Sequence, residues 1–415
     1  MAGETVREAT AASAVSGGTG RIHGLDLARF LAIAGMMGTH LWLFDELGET
    51  PSLVAALSGK ASALFAVLAG VGTMLTGSRS ADGGRGARRN LAGRGLALVV
   101  IGLTLGQLYP PVLVILAYYG VMFLLAVPLL RLPPARLLGA AVLWALLWPV
   151  CSHLLRDGLG LDASPDSPRW SSLGEPVPFA LELLLTGAYP ALSWMSYLML
   201  GMAIGAALAG PERTRPARPL LFGGAGVAAL AALLGVLCAR LFGARLLAAD
   251  LGFRGPEGRR IGVEELAAGA HGVAPSDSPW YLLSTGPHTG TPFDLLITGG
   301  TAAAVIGLCL LFGPRSGPRA RGALAPVLGA GTAPLTVYSL HVLAAAAAWS
   351  GDRLSAWWVS SPQLWALHLA GALAIGLLLR LTGRRGPLEA LVSACGRLLA
   401  RSGGRSQASA RPRGA

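Results

Sequence analysis

The chain has 415 residues, of which 53% are hydrophobic and only 13% are charged, and its formal net charge is +12. This composition is too apolar for an ordinary soluble domain, and it predicts an all-α, polytopic membrane protein built as a bundle of transmembrane helices. The basic residues are spread over many loops instead of forming one patch. The lipid bilayer, and not a nucleic acid, is therefore the expected partner.

Apolar runs divide the chain into three parts. Residues 1–20 are small and polar, which predicts a disordered cytoplasmic tail. Residues 21–385 are predicted to form the transmembrane domain. Residues 386–415 are predicted to form a basic cytoplasmic tail with an amphipathic helix over 387–399. Two long outer loops, 156–190 and 243–291, interrupt the domain. Its ten predicted spans are 25–44, 53–75, 96–108, 112–130, 135–155, 191–209, 220–242, 292–312, 324–349 and 362–381.

The distribution of arginine predicts the orientation of these spans. Ten spans place both termini on one side, and the loops on that side carry most of the 33 basic residues. Because short cytoplasmic loops carry the positive excess, we expect both termini in the cytoplasm. The expected location is the inner (plasma) membrane of a bacterium, with no cleavage of the first span. The small residues of 68–72 (LAGVG) predict a close contact between helices.

Two histidines are expected at a similar depth in the bundle. His40 follows Arg29 by eleven residues on the first span, which is roughly 16 Å along a helix. His341 rises from the same side on the ninth span and is predicted to reach the same outer half of the bundle. A titratable side chain at that depth is costly and indicates a functional site.

The four cysteines do not indicate a metal site or disulfides. Cys151, Cys238, Cys309 and Cys395 are scattered in or beside apolar spans without the spacing that metal ligands or disulfides need. Inert buried thiols and no metal are the expectation.

Several short motifs resemble known membrane acyltransferases. Arg29 and His40 on a first membrane helix resemble the signature of the acyltransferase-3 type. The bacterial relatives of heparan-α-glucosaminide N-acetyltransferase, a neighbouring branch, are similar at 24–29 (GLDLAR), 64–70 (LFAVLAG), 186–190 (TGAYP), 334–341 (PLTVYSLH) and 386–389 (GPLE). The resemblance implies a membrane acyltransferase that takes an acyl group, most simply acetyl, from cytoplasmic acyl-CoA (acetyl-CoA). The implied acceptor is an envelope glycan, lipid or small molecule on the outside.

The chain departs from the glucosaminide branch at one point. There an Asn occupies the position of His40 and the catalytic His lies in the following outer loop, whereas residues 41–51 contain no His here. His40 is therefore the residue that matches a general base, which acyl transfer to a hydroxyl or amine needs near neutral pH. Direct deprotonation of the acceptor and transient acylation of His40 both remain open.

The remaining site residues are assigned from this interpretation. His341 is predicted to be catalytic with His40, and Tyr338 to orient it or to hold the acceptor; Tyr189, His288 and Asp45 are expected to bind the acceptor. The cations expected to bind the CoA phosphates are Arg29, Arg85, Arg88, Arg89 and Arg94.

A transporter or lipid flippase, and an inactive scaffold of the same fold, are the alternatives. Ion-coupled carriers usually keep carboxylates or lysines near the midplane of the membrane, whereas the acidic residues here fall near span ends. A homodimer is left open.

Overall fold

The computed structural model describes residues 21–43, 49–77, 84–164, 166–210, 216–251, 266, 268–312, 322–349 and 361–408. The predicted disordered tail, residues 1–20, lies outside these ranges. In the described residues the chain is helical, with one isolated β-bridge between Ser164 and Gly187. The helices are α1 (His23–Leu41), α2 (Ser52–Leu57), α3 (Lys60–Gly77), α4 (Arg85–Gly106), α5 (Leu116–Ala126), α6 (Pro134–Leu159), α7 (Pro176–Leu181), α8 (Ala191–Leu208), α9 (Ala217–Cys238), α10 (Ala244–Asp250), α11 (Pro292–Phe312), α12 (Ala325–Thr332), α13 (Pro334–Trp349), α14 (Pro362–Thr382) and α15 (Pro387–Ala408).

The predicted class, an all-α membrane bundle, is confirmed. Six of the described helical segments are long and apolar enough to cross a membrane, and α12 with α13 forms a seventh candidate as a bent pair. The other three predicted spans are also helical. Of these, α1 and α4 start with polar residues, and α5 has 11 residues before a short 3₁₀ segment continues it.

Glycines allow the central helices to approach closely. A Cβ on Gly70 of α3 would collide with the backbone of α8, and one on Gly201 of α8 would collide with the Val67 carbonyl of α3. The close contact predicted for residues 68–72 is therefore present, and its partner is α8. This packing fixes α3, which lines both cavities described below.

The ninth predicted span is not the straight helix that its apolar pattern predicts. It breaks between Thr332 and Pro334, and α12 and α13 meet at 88°. Pro334 begins α13 because proline fits the first helical position but cannot continue a helix that needs its N–H. The depth of His341 therefore depends on α13 alone: it lies seven residues in, about 10 Å along the axis.

The carboxylate of Glu389, on α15, satisfies the free backbone groups at this break. Its Oε1 accepts from the N–H of Leu335 at 2.6 Å and from the N–H of Thr336 at 3.1 Å, and its Oε2 accepts from Thr336 Oγ1 at 2.6 Å. These are charge-assisted bonds at a helix N-terminus, where a carboxylate is most favourable. The helix predicted over 387–399 extends to Ala408 and packs against α4, where Gly93 contacts the Cys395 backbone.

We expect Gly201→Ala to lower the free energy of unfolding by about 1–3 kcal/mol, because the added methyl group has no room beside the Val67 carbonyl. Gly226→Ala on α9 is the matched control, since a Cβ there meets nothing within 4 Å. Thermal unfolding of the two purified variants in detergent measures the difference. Equal melting temperatures would contradict the close contact of α3 with α8.

Candidate active site

A cavity of about 470 Å³ lies at the end of the bundle where α1 ends. We call it the histidine cavity because His40, His271 and His288 line it, together with Tyr189 from the segment before α8. Residues from α1, α3 and the loop before α11 meet here. Their convergence places several groups able to move a proton around one space large enough for a small polar group.

His40 and His341 are joined directly. His40 Nδ1 lies 3.1 Å from His341 Nε2, and the two rings are parallel within 7°. His341 is buried, with 3% of its surface exposed, whereas His40 is half-buried and borders the cavity. The contact occupies Nδ1 of His40 and leaves Nε2 as the nitrogen available to a bound molecule. Such an arrangement resembles a base held by an orienting partner.

His288 is set to act as a neutral group. Burial lowers the pKa of His288 to about 4, with the charge of His271 as a further cause, so its ring is uncharged at neutral pH. Its backbone has φ of 60°, a left-handed conformation that a non-glycine residue rarely adopts. The ring packs edge-on against Tyr189, with 6.2 Å between centroids. A neutral imidazole here provides one hydrogen-bond donor and one acceptor to the cavity.

A second cavity, of about 310 Å³, lies toward the other end of α1. We call it the arginine cavity because Arg29 and Arg94 line it, with Glu389 and the residues of the helix break. Arg29 is held by Asp26, whose Oδ1 accepts from Nη1 at 3.0 Å. Arg94 lies over the ring of Phe123, with 5.4 Å to its centroid. Both guanidinium groups are thus placed before any ligand arrives.

The other predicted cofactor arginines are not at this cavity. Arg85, Arg88 and Arg89 lie on the first turns of α4, and none of them is among the residues that line the arginine cavity. Arg85 and Arg89 are exposed, and Arg88 has a buried Nε without a hydrogen-bond partner among the described residues. The structure therefore brings together only Arg29 and Arg94 of the five.

Three aromatic side chains separate the two cavities. Phe65 stacks on Tyr119 at 5.6 Å and on Tyr338 at 6.4 Å between centroids. The Tyr119 hydroxyl donates to the carbonyl of Ser62 at 3.4 Å. Since Tyr119 lines the arginine cavity and Ser62 lines the histidine cavity, this hydrogen bond directly joins the linings of the two cavities.

Tyr338 belongs to the wall and lines neither cavity. It is 1% exposed, and its hydroxyl accepts from the N–H of Ile115 at 3.3 Å. The structure therefore gives it a packing position, where the sequence indicated contact with His40 or the acceptor. Asp45, the remaining predicted acceptor residue, lies outside the described residues.

The structure places at or beside the site three residues to which the sequence assigned no role there. His368 of α14 lies with its Nδ1 2.8 Å from Nδ1 of His341. His271 lines the histidine cavity, and Glu389 joins α15 to α13. Depth alone places His368 six residues into its span from the outside, and that depth does not indicate its partner on α13. Within the described residues, no group of three His, Cys, Asp or Glu side chains is arranged to hold a metal ion.

The bundle of apolar helices and the two cavities define a polytopic helical membrane protein whose first helix carries a histidine in one cavity and an arginine in the other. The family model for heparan-alpha-glucosaminide N-acetyltransferase, catalytic, matches residues 21–237. The match covers more than half of the chain, and the chain belongs to this family. Membership implies acyltransferase activity in general. His341, His368 and Glu389 lie beyond the matched residues. No curated protein and no solved structure matches the chain.

We expect the protein to become less stable as the pH is lowered, because His288 is buried as a neutral ring. The folded state keeps this ring neutral down to about pH 4, whereas the unfolded chain takes up a proton near the ordinary pKa of 6.5. Stability is therefore fully present above about pH 6.5 and decreases as the pH falls toward about 4. His288→Gln should flatten this part of the curve in thermal unfolding measured from pH 7 to pH 4. Equal slopes for the variant and the wild type would contradict a buried neutral His288.

Proposed function

We propose that this protein transfers an acyl group, most simply acetyl, from acyl-CoA held at the arginine cavity to an acceptor in the histidine cavity. The observation that carries the proposal is the path of α1, which brings Arg29 to one cavity and His40 to the other. A single helix thus connects a site for an anionic donor with a site that has a base. Tyr119 of the arginine cavity is hydrogen-bonded to Ser62 of the histidine cavity, so the linings of the two cavities are in direct contact.

The arginine cavity suits the phosphates of coenzyme A. A guanidinium group binds phosphate oxygens through two parallel N–H bonds. Arg29 and Arg94 place two guanidinium groups in the lining of one cavity. The position of a Cβ at Gly72 would lie 4.0 Å from Nη2 of Arg29, so α3 leaves room for this guanidinium. The acyl end of the donor is then directed toward the wall at Tyr119, and across it lies His40.

His40 supplies the base for transfer. Its Nε2 takes the proton of an acceptor hydroxyl or amine, whose oxygen or nitrogen attacks the thioester carbonyl. The C–S bond breaks, and the thiolate of CoA leaves and takes up a proton. A transient acyl group on the same nitrogen would use the same residues. Rapid quenching of a reaction with labelled donor separates the two routes, since only the second labels the protein.

The expected orientation places the arginine cavity at the cytoplasm, where acyl-CoA is made, and the histidine cavity at the outer face. The positive excess in loops on the side of the termini supports this orientation. Glu389, Val392 and Ser393 of α15 line the arginine cavity, so the C-terminal helix lies on the same side as the donor. The acceptor is then an envelope glycan, lipid or small molecule.

Paired variants test the two halves of the site. We expect His40→Ala to lower kcat by roughly 10²–10⁴-fold, the usual loss on removing a general base, with binding of acetyl-CoA retained. Arg94→Gln should raise the KM for acetyl-CoA about tenfold or more, because a charge-assisted bond is lost. The assay follows radiolabelled acetyl-CoA incubated with purified protein in proteoliposomes and with cell-envelope material.

Arg136→Gln is the control for charge, since Arg136 is exposed on α6 and lines neither cavity. Full activity of His40→Ala would remove His40 from the mechanism. Binding of acetyl-CoA by the wild type without transfer to any envelope component would favour a carrier or an inactive scaffold.

A further inference from the structure

We propose that His368 is a positioning residue for this transfer: by accepting a hydrogen bond from Nδ1–H of His341, it fixes the tautomer that leaves Nε2 of His40 free to take a proton. The inference rests on the proposed role of His40. It adds a residue from α14, which no motif in the sequence indicated and which lies outside the segment that matches the family.

The three imidazoles form a continuous row. His40 Nδ1 lies 3.1 Å from His341 Nε2, and His341 Nδ1 lies 2.8 Å from His368 Nδ1. The rings of His341 and His368 are nearly perpendicular, at 81°, with centroids 4.9 Å apart. Both nitrogens of the central ring are therefore engaged, and His341 is buried too deeply for bulk water to replace either partner.

Specific contacts hold α14 in place for this row. Trp365 Nε1 donates to the carbonyl of Ala34 at 3.0 Å, and the N–H of Ser361 donates to the carbonyl of Leu41 at 2.9 Å. Both carbonyls belong to α1, the helix that carries His40. Since His368 lies three residues beyond Trp365, it is on nearly the same face of α14, one helical turn farther on. These two contacts hold α14 against α1 independently of the histidines, so the placement of His368 relative to the helix of His40 does not rest on the row alone.

The direction of the two hydrogen bonds decides whether His40 can act as a base. A neutral imidazole carries one proton, so one ring nitrogen donates and the other accepts. If His368 accepts, His341 carries its proton on Nδ1 and accepts at Nε2 from Nδ1–H of His40. Nε2 of His40 then bears a lone pair toward the cavity. In the reverse direction His40 carries its proton on Nε2, and it cannot deprotonate an acceptor.

Loss of the hydrogen-bond acceptor at position 368 would reverse the direction of the hydrogen bond between His341 and His40. A buried N–H without a partner is costlier and rarer than an unpaired acceptor. Facing an apolar side chain, His341 would therefore move its proton from Nδ1 to Nε2 and donate to His40. The base would be blocked without any change in the cavity itself.

His368→Asn and His368→Leu form a matched pair, because Asn and Leu have nearly the same shape but only the Asn carboxamide can accept at the position of Nδ1. We expect Asn to keep kcat within about threefold of the wild type, and Leu to lower kcat about tenfold or more with an unchanged KM for acetyl-CoA. Leu367→Ala, at an exposed neighbour on α14, is the control for the helix itself. The assay is acetyl transfer from labelled acetyl-CoA to envelope material.

Activity of the Leu variant equal to or above that of the Asn variant would overturn the inference, as would equal losses in both. A second readout does not depend on activity: ¹⁵N NMR of histidine-labelled protein in lipid reports which nitrogen of His341 carries the proton. We expect Nδ1 in the Asn variant and Nε2 in the Leu variant, and the same tautomer in both would contradict the role of His368. If the wild type shows no acetyl transfer but the His341 tautomer still differs between the Asn and Leu variants, the role of His368 in setting the tautomer stands and only the proposed transfer reaction is contradicted.

Discussion

The bonds from Glu389 to the start of α13 are the interaction on which the rest of the structure depends. Two backbone N–H groups and one hydroxyl point to this carboxylate. They stabilise the 88° break between α12 and α13, where the N–H groups of Leu335 and Thr336 would otherwise lack the partners that a continuous helix provides. The break opens space at Thr332 and Pro334, which line the arginine cavity. It also sets the start, and hence the length, of the helix that carries His341 to His40.

One helix break therefore serves both halves of the proposed reaction. On one side of the break, Glu389 lies with Arg29 and Arg94 around one cavity. The Glu389 carboxylate is bonded to α13 and Nη1 of Arg29 is bonded to Asp26, so the remaining N–H groups of the two arginines face the cavity's ligand in the proposed reaction. On the other side of the break, α13 presents His341 to His40. Phe65, Tyr119 and Tyr338 lie between His40 in one cavity and the two arginines in the other. In the proposed reaction, the base and the thioester donor would thereby be held apart within one bundle.

The sequence predicted the parts of this fold that depend on local pattern. Apolar length located the helices, and the small residues of 68–72 predicted a close contact. The depth predicted for His341 assumed a straight ninth span, whereas the structure brings His341 to His40 on α13 alone, after the break. The sequence did not predict features that depend on distant residues. The bend at Pro334 is stabilised by Glu389, more than fifty residues away, and Tyr338 packs on Phe65 and bonds the N–H of Ile115, which are also distant in the chain. The sequence assigned no role to His368 because its partner, His341, lies on another helix.

Sidedness of transfer tests the central claim most directly. Because α15 lines the arginine cavity, we expect a C-terminal affinity tag on the side of that cavity. Proteoliposomes can then be sorted by the orientation of the tag before sealed vesicles receive labelled acetyl-CoA outside. We predict that acetyl groups reach an acceptor enclosed in the lumen only when the tag faces outward, because donor and base occupy opposite ends of α1. Transfer only when the tag faces inward, or transfer to acceptors on the donor's own side, would contradict the division of the reaction between the two cavities.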